Sequence, residues 1–123
     1  MNEQLKNVAR VLFGLPFVIF GVNHFFNAGM LQGVVPGFIP GGIFWVYVTG
    51  LVLVLTGVSI VINKWVDIAG YALAALLLVF VLTIHLPGMF SNPMQSMSGL
   101  LKDFALMAAS FYFASTQTSG ELT

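Results

Sequence analysis

The chain contains no cysteine among its 123 residues. Disulfide bonds, thiol–disulfide exchange by the chain's own residues and thiolate metal sites are therefore excluded. Charge is almost as scarce, because 7% of the residues are charged, whereas soluble domains carry about 25%. A surface with so few charges would not stay dissolved in water, so we expect the chain to be a membrane protein surrounded by lipid.

The few charges also balance, with four basic and four acidic residues and a formal net charge of zero. A surface that binds nucleic acid needs a basic excess, so no nucleic acid is expected as a partner. No glycine-rich motif follows a strand pattern, which argues against a nucleotide-binding fold. No serine lies in a nucleophile-elbow motif, and no catalytic residue can be assigned.

Hydrophobic residues are abundant, at 59% of the chain. They concentrate in four stretches, each close to the ~20 residues that cross a hydrocarbon core of ~30 Å. We predict an all-α membrane protein, a four-transmembrane-helix bundle that runs up-down-up-down as a single domain over 1–115. The predicted spans are 8–26, 44–62, 66–86 and 98–116, and a polar C-terminal tail follows at 116–123.

The three connections between these stretches differ in character. Residues 63–65 are short and polar, so the second and third helices are expected to be antiparallel neighbours. The links 27–43 and 87–98 are apolar, and each contains two prolines. Solvated loops are normally polar, so we expect both links on the outer side, at the membrane interface or folded back over the mouth of the bundle.

The positions of the basic residues predict the orientation of the bundle. Lys6, Arg10 and Lys64 fall on one side of the predicted membrane, and Lys102 falls on the other. Cytoplasmic loops carry an excess of lysine and arginine. Three basic residues against one therefore favour both termini in the cytoplasm.

Polar residues in or near the spans carry the most functional information, because charge and hydrogen-bonding groups are costly inside a bilayer. Alternating helices place both histidines and the Lys102–Asp103 step on the outer half of the bundle, beside the aromatic start of the second helix. The candidate ligand-binding residues are His24, His85, Lys102, Asp103, Asn23, Trp45 and Tyr47.

Structural roles are the alternative for each of these residues. The histidines would cap helix ends and bond loop carbonyls, Lys102 would extend to the headgroups, and Asp103 would favour the N-terminal end of its helix dipole. Lys102 and Asp103 are adjacent and point about 100° apart, so both cannot face the bundle axis squarely. Two histidines and one nearby carboxylate are too few to predict a metal site.

A cavity at the outer mouth would suit an apolar molecule with a polar head, and a quinone or another isoprenoid fits that description. Histidine or lysine can donate a hydrogen bond to a quinone carbonyl, and aromatic rings can stack on the quinone ring. The expected lining, besides the polar candidates, is Phe20, Phe25, Phe26, Trp45 and Met89.

Short motifs along nearly the whole chain support a family resemblance. They are GVNHF at 21–25, VP at 35–36 and IP at 39–40, VYVTG at 46–50 with Gly57, HLP at 85–87, and LKD at 101–103 with Ala105 and Leu106. In this order and spacing they resemble the DoxX family of small bacterial four-helix membrane proteins. The resemblance implies a bacterial cytoplasmic membrane protein without a defined reaction.

Two functions remain open from the sequence. The chain would bind a quinone or isoprenoid-like ligand, as the membrane subunit of an oxidoreductase that relatives such as the DoxD subunit suggest. Alternatively, it would be a non-enzymatic accessory or assembly factor, which binds a membrane protein partner or forms a homo-oligomer. Transport ranks last, because no inward-facing charge lies in the middle of any predicted span.

Overall fold

Helices account for all the regular structure in the computed structural model, which describes residues 3–116 and shows no strand within that range. This confirms the all-helical prediction. After Thr116 the predicted polar tail at 116–123 lies outside the described residues. The elements are α1 (Glu3–Phe26), α2 (Ala28–Leu31) with a 3₁₀ turn (Gln32–Val34), α3 (Ile43–Ile62), α4 (Val66–Phe80), a π-helical turn (Val81–His85), α5 (Leu86–Gly88) and α6 (Pro93–Thr116).

Three helical stretches of the described chain are long and apolar enough to cross a membrane, namely α1, α3 and the continuous segment Val66–Gly88. The fourth predicted span, 98–116, does not join them. It lies within the longer α6, whose first half carries Gln95 and Lys102, and such polar residues lower its mean hydropathy. The prediction of four helices also needs correction, because α2 and α5 form additional short helices in the links.

The closest helix pair is α1 with α3, and glycines make that approach possible. A Cβ atom on Gly21 would lie 2.8 Å from the carbonyl oxygen of Gly50, and one on Gly57 would lie 3.0 Å from that of Gly14. Any side chain at these crossings would push the helices apart. Small residues at a helix interface are typical of packing inside a membrane, where backbones must approach closely to gain van der Waals contact.

The second close pair is α4 with α6. Gly70 of α4 faces Ala114 of α6, and a Cβ atom on Gly70 would lie 2.7 Å from the Cβ of Ala114. One turn earlier on α6, the fully buried Ser110 hydroxyl donates a 2.7 Å hydrogen bond to the Gly70 carbonyl. Helices α3 and α4 then join the two pairs into one bundle.

The buried core lies where α1, α3 and α4 meet, and it consists of aliphatic side chains with one phenylalanine. Outside it, large apolar side chains remain exposed along every long helix, as Leu12, Ile68 and Leu101 illustrate. Soluble monomers rarely expose continuous apolar surface on this scale. The core residues are Phe17, Leu53, Ile60, Val66, Ala69, Leu73 and Leu77.

We call the end of the bundle formed by Arg10 and the turn after α3 the closed end. Asn63 takes a left-handed conformation with φ of 63°. The Lys64 amide bonds the Ser59 carbonyl and the Asn63 amide bonds the Ile60 carbonyl, which is the Schellman arrangement for ending a helix. The guanidinium of Arg10 reaches across from α1 to the same helix end. It donates to the carbonyls of Ile60 at 3.0 Å and Val61 at 2.8 Å.

The third apolar stretch contains a π-helical turn just before a proline. The Leu86 amide bonds the Val81 carbonyl five residues back, instead of four. The widened turn falls where the Thr83 carbonyl would otherwise face the ring of Pro87, which lacks an amide hydrogen. The stretch therefore continues through Pro87 to Gly88, two residues beyond the predicted end at 86. His85 is the last residue of this turn.

Candidate functional site

A cavity of about 280 Å³ opens at the other end of the bundle, which we call the open end. The wall farthest from the opening is apolar and continuous with the core, and the 3₁₀ turn of the first link covers part of the opposite side. Polar side chains form a layer between these two parts. The lining residues are Phe17, Phe20, His24, Leu31, Val34, Val35, Trp45, Val46, Thr49, Leu53, Leu77, Phe80, Ile84, His85, Lys102, Asp103 and Leu106.

His85 and Asp103 form the strongest polar contact of the cavity wall. The Nε2–H group of His85 donates to Oδ2 of Asp103 at 2.6 Å, and the Asp103 side chain is only 7% exposed. Its other oxygen, Oδ1, lies 3.4 Å from the ammonium group of Lys102, whose side chain is 64% exposed. The carboxylate therefore faces inward with both oxygens engaged, while its neighbour on α6 points outward.

Gly99, one turn before Asp103 on α6, makes room for the imidazole of His85. A Cβ atom at this position would lie 2.5 Å from Cε1 and 2.6 Å from Nδ1 of the ring. No side chain fits there without displacing the ring. The sequence analysis missed Gly99, whose helix position four residues before Asp103 is the signal that could have indicated it.

His24 is buried in the last turn of α1, with 7% of its surface exposed. Its Nδ1–H group donates to the carbonyl oxygen of Phe20 at 2.8 Å, and its ring lies edge-on to the Phe20 ring at a centroid distance of 4.7 Å. A carbonyl oxygen only accepts, so the proton must sit on Nδ1. Within the described chain Nε2 has no hydrogen-bond partner.

Trp45 and Thr49 bring the first two turns of α3 to the cavity. The indole N–H of Trp45 donates to the Pro40 carbonyl at 2.6 Å, which ties the first link to α3. The Thr49 hydroxyl makes no hydrogen bond to any of residues 3–116, whereas the hydroxyl of Thr56 bonds the Val52 carbonyl in its own helix. Thr49 was not among the predicted site residues, although its position one turn after Trp45 places it on the same face.

Five of the seven predicted site residues line this cavity, and Asn23 and Tyr47 do not. Asn23 accepts a hydrogen bond from the side chain of Asn27 and lies in a shallow groove on the outer face of α1. The ring of Tyr47 stacks on Phe25 at a centroid distance of 5.8 Å. Both of these rings are exposed on the outer surface of the bundle.

The expected aromatic lining is found in part. Phe20 and Trp45 line the cavity, while Phe25, Phe26 and Met89 lie outside it. Phe26 is the last residue of α1 and is 81% exposed, because its side chain points away from α3. Among residues 3–116, no group of three histidine, aspartate or glutamate side chains lies close enough together to hold a metal ion.

Comparison with known proteins identifies one family. The sequence model of a family described as a domain of unknown function, DUF8561, matches residues 13–109. No curated protein and no solved structure matches the chain. The matched range contains every residue that lines the cavity and excludes Arg10 of the closed end.

The resemblance to the DoxX family is therefore wrong, because the matching family is DUF8561. The motifs that suggested DoxX have structural explanations that any tight helix bundle can share. Gly50 and Gly57 are close-approach positions between α1 and α3, and Pro40 supplies a carbonyl to Trp45. The activities implied by DoxX relatives do not carry over to this chain.

Proposed function

The chain belongs to the family of the domain of unknown function DUF8561, and we propose that it binds one apolar molecule with a hydrogen-bonding head within a membrane. The single observation that carries this proposal is the open-end cavity. Its deep wall is apolar, and its polar layer contains two groups, His24 Nε2 and the Thr49 hydroxyl, without a partner in the described chain. Ligand sites typically combine apolar walls with a few such polar groups.

The size of the cavity limits what it can hold. Small-molecule pockets usually measure about 300–1,000 Å³, and this cavity of about 280 Å³ is at the lower end. It accommodates a ring-sized head and the beginning of a tail, and the rest of a long tail would lie in the surrounding lipid. A quinone or another isoprenoid-like molecule has this division into a compact polar head and a long apolar tail.

Membrane insertion is part of the proposal. We propose that α1, α3 and Val66–Gly88 span a bacterial cytoplasmic membrane and that α6 completes a four-helix, up-down-up-down bundle. The exposed apolar side chains on the long helices support this arrangement. The carboxylate of Asp103 is satisfied by His85 and Lys102, which lowers the cost of placing α6 in a bilayer. The positions of Lys6, Arg10 and Lys64 favour cytoplasmic termini.

A matched pair of substitutions on α3 tests ligand binding. Val46→Phe should fill the cavity, because Val46 is buried and lines it. Val58→Phe makes the same change on the exposed side of the helix. Protein purified in mild detergent is extracted, and the retained lipids are identified by mass spectrometry. We expect an apolar molecule bound to the unchanged protein and to Val58→Phe, and lost from Val46→Phe.

Thermal unfolding with added short-tailed quinone and hydroquinone provides the second measurement. Ligand that binds only the folded state raises the unfolding temperature by mass action. The unchanged protein and Val58→Phe should gain stability with at least one of the two compounds. If neither extraction nor added compound distinguishes Val46→Phe from the other two proteins, the cavity is not a ligand site.

A role as an accessory factor or homo-oligomer is a second candidate, supported by the exposed apolar residues of the links. Phe38, Phe90 and Met94 are each at least three-quarters exposed at the open end. Such side chains can lie in the membrane interface or against a partner protein. Crosslinking in native membranes, followed by purification, tests this candidate, and recovery of uncrosslinked monomer alone would count against it.

A further inference from the structure

The polar layer of the open-end cavity has a fixed hydrogen-bonding character, which depends on where the two histidines carry their protons. From this arrangement we infer that the site recognises a head that donates hydrogen bonds, through hydroxyl groups, in preference to a head that offers carbonyl oxygens alone. The inference rests on the proposed binding function and specifies the class of ligand. The candidate molecules are hydroquinones and prenyl alcohols.

His24 supplies the first fixed acceptor. Its Nδ1–H is committed to the Phe20 carbonyl, so in the neutral ring Nε2 carries no hydrogen and can only accept. The side chain is more than nine-tenths buried and lines the cavity. A buried acceptor that stays without a donor costs free energy, so a ligand that donates to it is favoured over one that cannot.

His85 has the same character through a different partner. Its Nε2–H donates to the Asp103 carboxylate, which leaves Nδ1 as an acceptor in the neutral ring. Nδ1 has no donor among residues 3–116, and it lies on the side of the ring next to Gly99. Two imidazoles in one cavity therefore present acceptors, because each has its single N–H group engaged elsewhere.

Donors for a carbonyl head are few in the same wall. The Trp45 indole N–H is occupied by the Pro40 carbonyl. The Lys102 ammonium is paired with Asp103 and is mostly exposed. The Thr49 hydroxyl is the one remaining side-chain donor of the lining within the described residues, and it can equally accept. Acceptors thus outnumber committed donors, and the site matches a hydroxyl-bearing head.

Two pairs of compounds test this inference with the purified protein in detergent. The first pair is decylhydroquinone and decylquinone, kept reduced or oxidised as required, and the second is farnesol and its aldehyde farnesal. Each pair shares a tail and differs in whether the head donates. Binding is measured by calorimetry at mildly alkaline pH, where imidazoles are generally neutral. We expect the hydroxyl member to bind at least about tenfold more tightly, the ratio that one additional hydrogen bond provides.

A methylated control separates donation from ring shape. The dimethyl ether of decylhydroquinone keeps the aromatic ring and both oxygens but has no hydroxyl hydrogen. It should bind as weakly as the quinone. Equal binding of the ether and the hydroquinone would overturn the inference, as would a quinone that binds as tightly as the hydroquinone. The pair with the higher affinity identifies whether an aromatic or a prenyl head is preferred.

Variants assign the preference to named groups. His24→Phe removes the acceptor and keeps an aromatic ring, so it should weaken the hydroquinone about tenfold and leave the quinone nearly unchanged. Thr49→Val removes the remaining donor and should weaken the quinone more than the hydroquinone. An unchanged preference in His24→Phe would overturn the inference. If no compound of any pair binds the unchanged protein, the proposed function itself fails.

Discussion

The two ends of the bundle use their polar side chains in opposite ways. At the closed end, Arg10 donates to two carbonyls of α3 and to the Asn7 side chain, so its hydrogen bonds hold helices together. At the open end, His24 and Thr49 keep hydrogen-bonding groups without partners in the described chain. The comparison shows that one end is built for stability and that the other has retained unsatisfied groups around a cavity, as binding sites do.

The largest effect is expected from Arg10→Met at the closed end. The substitution keeps a long apolar stem and removes the charged donor from the last carbonyls of α3. We expect a loss of about 2–3 kcal/mol in the free energy of unfolding, the range for hydrogen bonds that involve a charged group. Denaturant unfolding in detergent, followed by circular dichroism, measures it.

Lys6→Met is the matched control for that change. Lys6 forms only an exposed ion pair with Glu3, at 3.5 Å and one turn apart. Pairs of this kind contribute about 0.5 kcal/mol or less. Equal losses in the two variants would show that Arg10 does not hold the closed end together, and the contrast between the two ends would disappear.

An intermediate effect is expected from Gly99→Ala at the open end. The added methyl group would occupy the position of the His85 ring and break its contact with Asp103. Overpacking of this kind costs about 1–3 kcal/mol, and we expect the lower half of that range because the cavity lets the ring move. The downfield proton resonance of a histidine–carboxylate hydrogen bond should also be lost from the NMR spectrum.

Gly29→Ala is the control, because no atom lies within 4 Å of a Cβ at that position. It should leave stability and the histidine resonance unchanged. A Gly99→Ala protein that keeps the resonance would show that the His85–Asp103 contact does not depend on the space above Gly99.

The smallest effect on stability is expected from His24→Phe. Residues at binding sites commonly cost stability, and replacing them is often neutral or favourable. We expect a change within about 1 kcal/mol of zero, in either direction. The same unfolding measurement in detergent applies. A loss as large as that of Arg10→Met would mean that the open end is built like the closed one.

Much of the architecture follows from the sequence because apolar length and composition decide it. The all-helical fold and three membrane-length helices were predictable from hydrophobic runs. The fourth was not, since α6 begins at Pro93 with a polar first half whose continuity with the apolar part depends on local capping. The family resemblance failed because glycine and proline motifs report helix packing and turns, which unrelated bundles share.

The clustering of both histidines with Lys102 and Asp103 around one cavity was anticipated from depth alone. Which face each residue occupies was harder to predict. Asn23 and His24 are neighbours, and helix geometry allows only one of them to point toward the cavity. The direction of His85 could not be read from helix periodicity, because the π-helical turn that carries it changes the rotation per residue.

That turn makes the site sensitive to the number of residues in the chain as well as to their identity. Removing one residue from Val81–His85 would restore an ordinary α-helix and rotate whatever follows it by about 100°. The imidazole would then leave Asp103, although no site residue had been replaced. The link between α5 and α6 has no such phase to maintain. Length changes in these two segments, only a few residues apart, should therefore have very different consequences.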